Sequence, residues 1–107
     1  MYIPKDAKEI IVKDSTVPFF KLENIYYFDT SSTAVPEPMI NAVAGLKILD
    51  KNSKLVMINH KIPLGLFPKI EAYFDFDVEE FENCVKITFV KKRGFEVNLN
   101  VNTNCQG

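Results

Sequence analysis

The groups able to do chemistry in this 107-residue chain are few, and most of them gather at two proline-marked turns. His60 is the only histidine. It follows the apolar run Leu55-Val56-Met57-Ile58 and Asn59, and precedes Lys61-Ile62-Pro63. An imidazole there could act as an acid or base, ligate an iron or haem, or donate a hydrogen bond to an anion. The plainer role is that His60 or Asn59 caps a following helix and braces the loop. Glu37 stands within Val35-Pro36-Glu37-Pro38. In the first turn of a helix its carboxylate would gain about 0.3–1 kcal/mol from the helix dipole. Paired with His60 instead, it would raise the pKa of the imidazole and orient the ring. Ser31, Ser32 and Thr33 precede the first turn, as helix caps or as contributors to an anion site with the helix N-termini. The two cysteines, Cys84 and Cys105, form no Cys-x-x-Cys pair, and a single histidine rules out any zinc motif built on two. They read as free thiols, Cys84 half-buried at the start of a strand and Cys105 exposed in the tail with no activating neighbour. No catalytic motif is complete, so a binding module is expected rather than an enzyme. The sequence assigns no cofactor, and His60 is the one candidate metal ligand.

The elements that must carry these groups follow from periodicity. Ile25-Tyr26-Tyr27-Phe28 is β-branched and aromatic, which predicts a strand covered on both faces. After Asp29-Thr30-Ser31-Ser32-Thr33, the residues Met39, Ile40, Val43, Leu46 and Leu49 recur at helical spacing, predicting a helix over 37–49. Lys54 to Ile58 predicts a second buried strand. Phe67, Ile70 and Phe74 predict a second helix over 65–74, with Pro68 in its first turn, where the missing N–H costs little. Phe76 to Glu79 and Val85 to Val90 alternate as strands about a turn at Glu82-Asn83, and Phe95 to Val101 alternates after the charged turn Lys91 to Gly94. Ile10-Ile11-Val12 and Val17 to Phe20 read as short extended pieces. The expected fold is an α/β, or α+β, two-layer sandwich. Its order is β-α-β-α-β-β with a mixed sheet, both helices on one face, and extra N- and C-terminal strands. The two strand-helix units imply a parallel pair joined by a right-handed crossover. Val35 to Pro38 and Asn59 to Pro63 should then meet at one edge. The expected core is Phe28, Val43, Leu46, Val56, Ile58, Phe67, Ile70, Ile87 and Phe89.

Composition bounds the function. Length suits one domain over 1–107, with a core at 25–91, an N-terminal extension at 1–24, the extra strand at 95–101 and a tail at 102–107. Thirteen basic against 14 acidic side chains give a net charge of -1, which excludes a general nucleic-acid binder. The cluster Lys91-Lys92-Arg93 is too short to alter that, and reads as a solvated turn. No apolar run approaches the roughly 20 residues of a membrane-spanning helix, and the N-terminus lacks the pattern of a secretory signal. A cytoplasmic protein without nucleic-acid or membrane partners is expected. Its partner would be a protein or a small anion, or a second copy joined through a sheet edge.

Phe28-Asp29, Val35-Pro36-Glu37-Pro38-Met39, Ile58-Asn59-His60, Pro63-Leu64 and Phe67-Pro68 together resemble an uncharacterised bacterial family, domain of unknown function 2249. That family is similar in fold to the small sulfur carriers of the TusA and SirA type. The resemblance covers roughly Ile25 to Lys91 and implies a two-layer α/β sandwich, with His60 matching a recurrent family histidine. It implies no established activity. The carriers place a nucleophilic cysteine directly before Pro-x-Pro, where a helix N-terminus stabilises the thiolate. Here that position is Val35, which cannot carry a persulfide. Fusion of some family members to iron-binding helical domains implies redox or metal-linked work. A glycine expected after the second helix is Asp75 here.

Overall fold

The aromatic and β-branched runs pair into one mixed sheet. The structure, a computed structural model, describes residues 2–92. The expected strand at 95–101, the tail at 102–107 and Cys105 lie outside the described residues. The elements are β1 (Lys8–Ile10), β2 (Phe19–Leu22), β3 (Ile25–Asp29), α1 (Glu37–Leu46), β4 (Lys54–Asn59), α2 (Phe67–Ile70), β5 (Phe74–Glu80) and β6 (Val85–Lys91). Their order across the sheet is β1-β2-β3-β4-β6-β5. β3 and β4 run parallel, from Ile25 opposite Lys54 to Asp29 opposite Ile58, and every other pairing is antiparallel. β4 lies inside the sheet and is buried from Leu55 to Asn59, as its continuous apolar run requires.

Two apolar clusters form. Phe28, Leu55, Met57, Ile87 and Phe89 join Ala42 and Leu46 of α1 with Leu66 and Ile70 around α2. Tyr27, Val56, Ile58 and Cys84 form the other, packed against Ile3, Ala7, Phe20, Leu22 and Ile25. Strand alternation explains the split, because Tyr27 and Phe28, or Val56 and Met57, must point to opposite faces. The N-terminal residues therefore belong to the sheet. β1 lies two residues earlier than Ile10-Ile11-Val12 would place it, with Ile11 99% exposed and Val12 buried.

Both helices depart from expectation. α1 ends at Leu46, and Ile48 N–H and Leu49 N–H close tighter turns onto Gly45 and Leu46 carbonyls at 3.2 and 3.3 Å. Its buried face is Pro38, Asn41, Ala42, Gly45 and Leu46, whereas Ile40 and Val43 are 39% and 37% exposed. Val43 is thus not a core residue. The reason is close approach. A Cβ on Gly45 would lie 2.9 Å from both methyls of Leu55 and 3.0 Å from Phe19 Cε2. The helix docks on its small residues, which turns the bulkier Val43 outward. α2 is a single turn, Phe67–Ile70, not a helix running to Phe74. Phe74 begins β5, whose seven residues pair along β6 from Phe74–Lys91 to Glu80–Val85. Phe74, Phe76 and Val78 pack at strand period against the helix-side cluster, so the spacing Phe67-Ile70-Phe74 ran across an element boundary. Phe67 is half-buried, its ring stacked on Phe76 at 4.0 Å and 8°.

Candidate functional site

The carboxyl ends of the parallel strands are locked by two buried polar side chains. Thr30 N–H donates to Ile58 O at 2.8 Å, extending the β3–β4 ladder by one residue. Thr30 Oγ1 lies 3.2 Å from Ile58 O and 3.0 Å from Asn59 Oδ1, so its single proton can serve either acceptor. Asn59 Nδ2 donates to Lys61 O at 2.9 Å, which bends the chain after β4. Each bond contributes about 0.5–1.5 kcal/mol net, but an unmade one in this buried place would cost more. Asn59 therefore fixes the β4–α2 loop. It does not cap α2, whose N-cap is Leu66 without a side-chain bond, and neither does His60. With Asn59 turned inward, His60 is exposed, and among the described residues it makes no hydrogen bond or ion pair.

The serine and threonine residues after β3 are not caps either. Ser31 N–H and Oγ–H both donate to Asp29 Oδ1, at 2.8 and 2.6 Å. Thr33 N–H and Oγ1–H donate to Thr30 O at 3.1 and 3.0 Å. Ser32 is exposed and carries no hydrogen bond among the described residues. The loop thus folds on itself, three residues short of the N-cap, Pro36. Little is left to cap there. Pro36 and Pro38 have no N–H, and Glu37 N–H is already bonded to Ala34 O at 3.0 Å.

Glu37 faces the N-terminal segment instead of His60. Its Oε1 accepts Thr16 Oγ1–H at 2.6 Å. Thr16 is held by Asn41, a fully buried residue of α1. Asn41 Oδ1 accepts Thr16 N–H at 2.8 Å and Val17 N–H at 3.3 Å, while its Nδ2 donates to Thr16 Oγ1 and to Glu37 O, each at 2.8 Å. The expected Glu37–His60 pair is not formed: Glu37 Oε1 is bonded to Thr16, and His60 makes no ion pair among the described residues. Thr16, Thr30 and Asn41 went unnoticed in the sequence. Only Asn41 left a signal, a polar residue at the helical position between Pro38 and Gly45.

The two proline turns do line one cleft, of about 340 Å³. Val35, Pro36, Pro38 and Met39 form one wall, and Ile62, Pro63 and Leu64 the other. Val35 and Leu64 are 77% and 72% exposed. His60 and Lys61 supply the only ionisable side chains of the lining, and none of its residues is acidic. The expectation of two converging helix dipoles is reduced to one, since a single turn such as α2 has almost no summed dipole. What the arrangement offers is an apolar slot with basic or neutral hydrogen-bond donors at its rim.

Elsewhere, Cys84 is buried, and its hydrogen bond to Tyr2 is the main cause holding that phenol above its ordinary pKa of 10.0. The Tyr2 ring packs on Phe81 at 4.8 Å. Among the described residues no three His, Cys, Asp or Glu side chains converge on a metal position, and no helix is long and apolar enough to cross a membrane. Comparison with protein-family models, curated proteins and solved structures finds no match to this chain. The resemblance carried by Phe28-Asp29 through Phe67-Pro68 rests on those motifs alone.

Proposed function

We propose that this chain is a small, non-catalytic binding domain of the cytoplasm, and that the cleft between the start of α1 and the β4–α2 loop receives an apolar group of its ligand or partner. The observation that carries this reading is the cleft itself, a slot of about 340 Å³ with Val35 and Leu64 left open to solvent beside it. It lies at the carboxyl ends of the parallel strands, the side on which open α/β sheets bind ligands. Three prolines in its walls fix their backbone φ, so the slot is formed before anything enters. Catalysis is disfavoured because, among the described residues, His60 has no second group to orient it, and Glu37 is engaged by Thr16.

A neutral apolar probe, 4-phenylbutanol, tests the reading by NMR. Amide shifts should concentrate at Val35, Met39, Ile62 and Leu64 and disappear in Gly65→Val. A Cβ at Gly65 would stand 3.7 Å from Met39 Cε, so branches beyond it enter the slot. Shifts scattered over the surface, or none at millimolar probe, would contradict the proposal.

A related reading keeps the two-layer sandwich of the sulfur carriers, with both helices on one face, but without their sulfur chemistry. Val35 occupies the position directly before Pro36-Glu37-Pro38 and is exposed at the cleft. If the relationship holds, Val35→Cys places a thiol at a helix N-terminus, where its pKa falls and it reacts readily. Mass spectrometry after incubation with a persulfide donor should then find one added sulfur atom on the peptide containing position 35. An inert thiol there would speak against descent from the carriers.

A further inference from the structure

We infer that the natural occupant of the cleft is a small organic acid, an apolar body of one ring or a short chain carrying a single carboxylate. This rests on the cleft being a binding site, and adds the class of ligand. The walls are aliphatic, so the body of the ligand must be apolar, and a volume of about 340 Å³ lies at the small end of ligand pockets, roughly 300–1,000 Å³. The polar end is set by what the rim holds. His60 and Lys61 are consecutive, exposed, and without a hydrogen bond or ion pair among the described residues. Imidazole offers an N–H in either protonation state, and the ammonium offers three, so both are matched by a carboxylate. The one acid close in sequence to the walls, Glu37, is turned to Thr16 at 2.6 Å and does not line the slot. A cationic ligand would therefore meet only like charge, and a neutral one would leave the rim donors to water.

The test compares 4-phenylbutanoate with 4-phenylbutanamide, by NMR titration of the full chain. The acid should bind about tenfold more tightly than the amide, the size of one charge-assisted hydrogen bond added to a screened ion pair. In His60→Gln/Lys61→Gln the two should bind alike. Both positions are exposed, so the variant retains the fold, which its amide spectrum verifies directly. Equal affinity of acid and amide in the wild type would overturn the carboxylate assignment while leaving the cleft as an apolar site. A preference that survives the double substitution would overturn the role given to His60 and Lys61. Failure of both probes to bind would overturn the inference together with the reading beneath it.

Discussion

Asn41 is the residue on which the N-terminal segment depends. Its side chain closes four hydrogen bonds inside the protein, two to backbone N–H groups of Thr16 and Val17. Asn41→Ala would orphan Thr16 N–H, and should lower the free energy of unfolding by about 1–3 kcal/mol in chemical denaturation. Glu37→Gln should cost well under ~1 kcal/mol, because the amide oxygen can still accept the Thr16 hydroxyl. The His60 ring resonances should not move in that variant, as Glu37 does not touch the ring. Asp50 gives the clearest dependence on pH. Asn52 N–H at 2.8 Å and Ser53 Oγ–H at 3.0 Å both donate to its Oδ1, and these bonds hold its carboxyl below the ordinary value of 3.8. A carboxyl lowered on folding stabilises the protein above its unfolded pKa and loses that contribution as pH falls through the folded one. Asp50→Asn should therefore lower stability at neutral pH and flatten the acid side of a plot of stability against pH, the two proteins converging as pH falls below the folded pKa. At this scale the sequence showed which residues stand at the strand ends, Asn59 and His60 among them. It could not show the partner of Glu37, since Thr16 lies 21 residues away in a segment without periodic pattern.

At the scale of elements, α1 shows why bulk misleads. Ile40 and Val43 sit at helical spacing and look like core, yet Gly45 and Ala42 make the contact with the sheet. Gly45→Ala gains up to about 1 kcal/mol of helix propensity but drives a methyl into Leu55 and Phe19. Overpacking of a tight core costs about 1–3 kcal/mol, so the net effect should be a loss. Val43→Ala should be close to neutral. Thermal melts of the two variants compare them directly, and the reverse ranking would place the wrong face of α1 against the sheet. β3 and β4 were legible because continuous β-branched and aromatic runs have few other uses. The extent of α2 was not, because Phe67, Ile70 and Phe74 satisfy a helical spacing while Phe74, Phe76 and Val78 satisfy a strand one. Only pairing with β6 decides between them, and pairing is a property of distant residues.

At the scale of the whole molecule, the described residues present an apolar slot at the carboxyl end of the parallel strands and a charged edge at β5. Asp75, Asp77 and Glu79 alternate along that edge and are exposed, which discourages a second sheet from pairing there. With a net charge of -1 there is no strong overall field to draw in a ligand, so recognition falls to the local chemistry of the slot. A groove of about 370 Å³ beside Ile3 and Phe20 and a smaller one of about 190 Å³, bordered by Val43, Ile70 and Phe74, are the competitors for an apolar ligand. The most direct test is therefore positional. Isotope-filtered NOEs should be recorded between 4-phenylbutanoate and the methyl groups of the full chain. The expected result is ring-proton NOEs to Met39, Ile62 and Leu64. NOEs to Val43 and Ile70 instead, or none from a saturating ligand, would contradict the assignment of the cleft as the binding site.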